Sequence, residues 1–142
     1  MRFFLQLILC FLPMFLSGDS EVPSRSFASC PDTPNCVSSL VQDSKHFIDP
    51  IAYQGQEHPF KILLKIIQKL PRSQIQSQED NYIHLTVRSR IFSFIDDLEF
   101  LYDPKASLIH MRSASRSGYY DFGVNRKRLE KIRKEFLSLS KI

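Results

Sequence analysis

From Phe3 to Leu16 the chain is almost unbroken in apolar residues, FFLQLILCFLPMFL, behind a single Arg2. The pattern then turns polar. It becomes helical in period over His58–Leu70, where Phe60, Leu63, Leu64, Ile67 and Leu70 recur on one side and Lys61, Lys65 and Lys69 line another. Pro59 suits the first turn of that helix and Pro71 stops it. Beyond Pro71 the period shortens to two. Ile75–Gln78 reads as a short strand and Glu79–Asn81 as a turn. Tyr82–Arg88 alternates, with Ile83, Leu85 and Val87 opposite Tyr82, His84, Thr86 and Arg88. A further strand is predicted over Ile91–Leu101, which is rich in aromatic and β-branched residues. A turn follows at Asp103–Ala106, then a strand over Leu108–Arg112. A last helix runs from about Asn125, a plausible N-cap, to Leu139, with Leu129, Ile132, Phe136 and Leu139 on one face. Helix, strands with short connections and helix predict a single α+β domain. Its small antiparallel sheet of three to four strands packs with two helices.

The first apolar run is 14 residues long, short of the ~20 needed to span a bilayer. Its length and flanks suit a secretory signal peptide over residues 1–18, and the alternative is a retained N-terminal anchor. Leu9 before Cys10 is too large for a lipobox. The organisation expected is a leader (1–18), a linker (19–28) and one globular domain (29–142). Export would place the protein in the periplasm or the extracytoplasmic envelope of a bacterium. Membrane contact is expected only through the N-terminal segment, if it is uncleaved.

Export changes the reading of the cysteines. Cys30 and Cys36 bracket PDTPN, a stiff, turn-rich loop. A disulfide is the simplest reading in an oxidising compartment, worth about 2 kcal/mol for so small a ring. A two-ligand metal site and a reactive thiol pair are the alternatives, though the spacing matches neither the usual zinc pattern nor CxxC. The chain has 142 residues, 43% hydrophobic, with a formal net charge of +4. That excludes several domains, wholesale disorder and a dense nucleic-acid footprint. His46, His58, His84 and His110 are scattered with no HExxH, so neither metal nor cofactor is expected.

Two stretches break the pattern. Asp96 shares strand parity with Phe92, Phe94, Leu98 and Phe100. A buried carboxylate there needs a cation or donor, and Arg90, Arg112, Arg116 and Arg126 are the candidates. Asp97 and Glu99 take the opposite parity and can face His84, Arg88, His110 and Arg112 if the strands pair in register. The second stretch is RSASRSGYYDFGVNRKR, residues 112–128. Its Gly118 and Gly123 permit tight turns. Arg126, Lys127 and Arg128 fall in the first turn of the last helix, where free amides and cations together suit an anion. Neutralisation by Asp121, Asp96 or Asp97 is the structural alternative.

CPDTPNCVSS, RSRIFSFIDDLEF and RSASRSGYYDFGVNRKR, in this order, resemble the domain-of-unknown-function family 1499 over about Ser29–Phe136. The resemblance implies a small exported or membrane-tethered protein and adds no activity. The positions that match its motifs are Cys30, Cys36, Arg88, Arg90, Asp96, Asp97, Glu99, Arg112, Ser113, Ser115, Arg116, Gly118, Asp121, Gly123, Asn125 and Arg126.

Three functions are compatible with these residues. The first is a non-catalytic binding module whose anionic or polar ligand meets Ser113–Asn125. The second is a structural component of the envelope with an envelope protein as partner. The third is a hydrolase-type enzyme using Asp97 or Glu99 with Ser113, Ser115 or an arginine. Many donors and no recognisable nucleophile–base pair favour the first two.

Overall fold

The structure is a computed structural model that describes residues 25–141. The leader expected over residues 1–18 and most of the linker lie outside the described residues. In chain order the elements are β1 (Cys36–Ser38), β2 (Ile51–Ala52), α1 (Pro59–Ile67), β3 (Ser73–Gln78), β4 (Tyr82–Arg88), β5 (Ile95–Asp103), β6 (Leu108–Ser115) and α2 (Val124–Leu139). The α+β class with two helices stands. The sheet has six strands rather than three or four. The meander β3-β4-β5-β6 is the part that alternation predicts. The other two strands are three and two residues long, too short to show a period. Both lie antiparallel along β6, β2 beside Leu108–Ile109 and β1 beside Arg112–Ala114.

Both helices pack on one face of the sheet. Ile83, Leu85, Leu98, Phe100, Ile109 and Met111 from the sheet meet Phe60, Leu63, Ile66 and Ile67 of α1. Leu129, Ile132 and Phe136 of α2 complete the core, and Leu139 at its end is exposed instead of sharing their burial. Helix α1 stops at Ile67. The chain then tightens into bonds three residues apart, Lys69 N–H to Ile66 O and Leu70 N–H to Ile67 O. None of the described helices is long and apolar enough to cross a membrane.

The largest departure from the sequence reading concerns Ile91–Phe94. The register pairs Arg88 with Ile95, so the chain must reverse between them and β5 cannot begin at Ile91. Residues 89–94 are the hairpin loop, closed by Ser89 N–H to Phe94 O (2.8 Å) and Phe94 N–H to Ser89 Oγ (3.0 Å). Ser93 takes φ +53° to complete the reversal. Phe92 and Phe94 therefore leave the core face and stand in solvent.

Candidate functional site

Strand parity divides the acids of β5 between the two faces of the sheet. Asp96 and Leu98 lie opposite Ser115 and Ser113 on the helix-covered face, while Asp97 and Glu99 lie opposite Ala114 and Arg112 on the other. The pairing of Asp97 or Glu99 with Ser113 or Ser115 expected for a hydrolase is thereby corrected. The serines and those acids project from opposite sides of one backbone layer.

On the helix-covered face Asp96 is 5% exposed and fully partnered. Ser115 Oγ donates to Oδ1 at 2.7 Å and Arg128 Nη2 to Oδ2 at 2.7 Å. The cation is Arg128, and none of the four arginines that sequence reasoning named. Helical phase distinguishes them. Arg128 precedes Ile132 by four residues and lies about 40° from it around the axis, whereas Arg126 lies about 120° away. Asn125 is also corrected. It is not the N-cap but a wholly buried first-turn residue, hydrogen-bonded through its side chain to Ser113 and Ser115. The cap position belongs to Gly123 at φ +73°, and Asp121 does the capping. Its Oδ1 accepts from Gly123 N–H and its Oδ2 from Asn125 N–H, both at 2.9 Å. Of the amides proposed for an anion, those of Gly123 and Asn125 are thus taken by the Asp121 carboxylate and that of Val124 by the Asp121 carbonyl. Arg126 is committed as well, donating to the carbonyls of Phe47 (2.7 Å) and Lys45 (2.9 Å).

The open face carries two charge ladders. Arg116 clamps Asp97 through Nε (2.8 Å) and Nη2 (2.9 Å), and His84 Nε2 lies 2.7 Å from the same carboxylate. Arg112 Nη1 donates to Glu99 at 2.7 Å, and Tyr82 O–H donates to its other oxygen at 2.7 Å. Burial alone would raise the Asp97 carboxyl, but the hydrogen bonds from Arg116 and His84 outweigh it and hold Asp97 below the usual carboxylate range. The Tyr82 phenol is pushed up, first by burial and then by Glu99. Arg88 and His110 do not join these ladders. His110 sits 3.3 Å from Ser39 Oγ, and burial lowers its basicity.

Cys30 and Cys36 form a disulfide. The ring holds Asn35, which donates from Nδ2 to Gly118 O (2.6 Å) and accepts at its carbonyl from Asn125 Nδ2 (3.1 Å). The loop 116–123 is therefore fixed from behind by Asn35, Asp121 and Arg116. In front of it lies the feature that the sequence reading missed. A groove of about 410 Å³ opens between loops 89–94 and 116–123. Phe92 and Phe94 form one wall, Tyr120, Phe122 and Val124 the other, with Asp96 and Ser115 at the floor and Arg90 at the rim. Phe92 and Phe94 stack at 5.4 Å between centroids, and Tyr120 meets Phe122 edge-on at 5.0 Å. Ile91 is 80% exposed, Phe122 76% and Phe92 71%. The signal for these side chains was the hairpin reversal, which alternation within one strand does not reveal. Arg88 and Arg90 are exposed and make no ion pair among the described residues. No group of three acids, histidines or cysteines among the described residues has the arrangement of a metal site.

The family model described as Protein of unknown function (DUF1499) matches residues 26–136, and the chain belongs to that family. No curated protein and no solved structure matches the chain.

Proposed function

We propose that the chain is an exported, non-catalytic binding module of the cell envelope. Its ligand is an amphipathic anion held in the groove between loops 89–94 and 116–123. The observation that carries this reading is the aromatic-walled groove itself. Its volume of about 410 Å³ falls within the ~300–1,000 Å³ of small-molecule sites. Covering an exposed Phe is worth roughly 1.5–3 kcal/mol, so two or three rings closing on an apolar body supply useful affinity. Asp96 at the floor is already neutralised by Arg128 and Ser115. Asp121, also in the lining, spends its carboxylate on the amides of Gly123 and Asn125, and Arg90 is the lining cation without an ion pair among the described residues, which selects an anionic head.

Backbone strain supports the same reading. Phe122 adopts φ +56° with its ring in solvent. A bulky residue in the left-handed region costs ~1–3 kcal/mol and recurs at functional sites. Nothing in the fold core uses that ring. The apolar run Phe3–Leu16 and the Cys30–Cys36 disulfide support export.

Calorimetric titration with laurate, against dodecyltrimethylammonium as its cationic counterpart, tests the reading. Laurate should bind at least about tenfold more tightly than the cation, a difference of ~1.4 kcal/mol. Phe122→Gly and Arg90→Gln should each weaken laurate by about tenfold. Phe122→Gly should keep or raise the melting temperature, because glycine relieves the left-handed conformation. No binding by the natural chain, or equal binding by both variants, sinks the proposal.

A further inference from the structure

Loops 89–94 and 116–123 hold more exposed apolar surface than the groove needs. Ile91 and Tyr119 are 80% and 71% exposed, and Tyr119 does not line the groove at all. Both loops emerge from one end of the sheet, so their aromatic tips stand side by side. The cations around them are arranged to match. Arg72 lies at this end, its backbone carbonyl accepting from Arg88 N–H and its Nε donating to Arg88 O. Arg72, Arg88 and Arg90 are all exposed and make no ion pair among the described residues. Among the described acids at this end, Asp32 in the disulfide ring is exposed without an ion pair, whereas those of β5 and of loop 116–123 are held. Asp96 is held by Arg128, Asp97 by Arg116 and Asp121 by the amides of Gly123 and Asn125. At the opposite end the turns carry Glu79, Asp80 and Asp103, with Lys105 and Arg25 as the cations.

We infer that this end of the molecule docks on an anionic lipid bilayer, with the aromatic tips in the interface and Arg72, Arg88 and Arg90 on the headgroups. Protruding aromatic and aliphatic side chains ringed by unpaired arginines are the chemistry of an interfacial anchor. Unpaired basic residues select a negative leaflet. Tyrosine suits the boundary because its ring is apolar and its hydroxyl stays wet. The contact is separate from the N-terminal segment. It also turns the groove mouth toward the bilayer, so that the ligand is a membrane-resident amphiphile. That last clause rests on the groove reading, whereas the docking itself does not.

The chain contains no tryptophan, so one introduced Trp reports on one place. In the full chain, Phe92→Trp should shift to shorter emission wavelength on phosphatidylglycerol vesicles and stay unchanged on phosphatidylcholine vesicles. Leu139→Trp, at the far end of α2, should not respond to either. Adding Arg72→Gln, Arg88→Gln and Arg90→Gln to the Phe92→Trp chain should weaken vesicle binding by at least about tenfold. Salt near 1 M should release the protein, since the screening length then falls to ~3 Å. Unchanged Phe92→Trp emission on both vesicles overturns the inference. So does an equal shift at Leu139→Trp, or a concentration-dependent shift without vesicles, which marks a second copy as the occupant. Laurate binding without a vesicle response would sink the docking and leave the groove. A vesicle response without laurate binding would do the reverse.

Discussion

At one end of the sheet the chain reverses through Glu79–Asn81 and through the turn after Asp103; at the other it reverses through residues 89–94 and 116–123. The first pair of turns is short and polar, and closes on local hydrogen bonds. Asp103 Oδ1 accepts from the amides of Lys105 (2.9 Å) and Ala106 (3.1 Å), and Glu79 N–H reaches Tyr82 O (2.8 Å). The second pair is longer and aromatic. Loop 116–123 is secured by side chains from distant segments, Asn35 to Gly118 O and Arg116 to Asp97, and it leads into a helix anchored by Arg128 to Asp96. The difference teaches how a small domain can display apolar side chains without collapsing onto them. A loop tied from behind by buried polar groups keeps its backbone fixed while its rings face outward.

The comparison breaks most directly at Arg128. Arg128→Met removes the cation from Asp96, whose side chain is 8% exposed, and leaves a buried carboxylate with Ser115 as its remaining partner. Removal of one member of a buried pair costs about 3–5 kcal/mol. Asp103→Ala at the polar end removes exposed turn hydrogen bonds and should cost about 1 kcal/mol. Urea unfolding of both variants measures the contrast. A penalty for Arg128→Met no larger than that for Asp103→Ala would mean that the loop end is not held from behind.

The polar end was open to sequence reading because its turns are local: Asp103-Pro104 and Glu79-Asp80-Asn81 carry their own partners. The meander was legible for the same reason, since alternation over Tyr82–Arg88 fixes one strand and short turns fix its neighbours. Asp96 was recognisable as an acid needing a partner. Its partner was not, because choosing among arginines needs the phase of α2 as well as the parity of β5. The aromatic groove was illegible for a different reason. Phe92 and Phe94 have the composition of core strand residues, and only the Arg88–Ile95 pairing turns them outward. The two strands along β6 are defined by a partner strand far away in sequence, so no local pattern announces them.

The disulfide ring sharpens the comparison at an intermediate scale. Replacing both Cys30 and Cys36 by Ser should cost about 2 kcal/mol through the loop-closure entropy of the unfolded chain. If the ring serves the loop end, the loss should also reach Gly118 through Asn35. Laurate affinity should then fall with stability, whereas hydrogen exchange in the β3–β4 and β5–β6 turns should be unchanged. Uniform loosening of both ends would assign the ring to general stability alone.

The smallest effect expected comes from the open face, at Asp97, where Arg116 ties the start of loop 116–123 to β5. Arg116 is half exposed, so solvent screening limits the pair to about 1 kcal/mol or less. The sign with pH follows from the direction of the shift. Asp97 is held below the ordinary carboxyl value of 3.8, against a burial effect that acts the other way. Its unfolded form therefore binds a proton first. The pairing contributes fully above that value and is lost as pH falls through the lower folded value. Asp97→Asn should accordingly be less stable than the natural chain at pH 6, and the gap should close as the pH approaches the folded value. Asp96→Asn does not share this prediction, because it leaves Arg128 buried without its carboxylate. A gap at Asp97 that stays constant or widens in acid would show that Arg116 and His84 do not hold this carboxylate in its charged form, and that loop 116–123 takes its support from the helix-covered face alone.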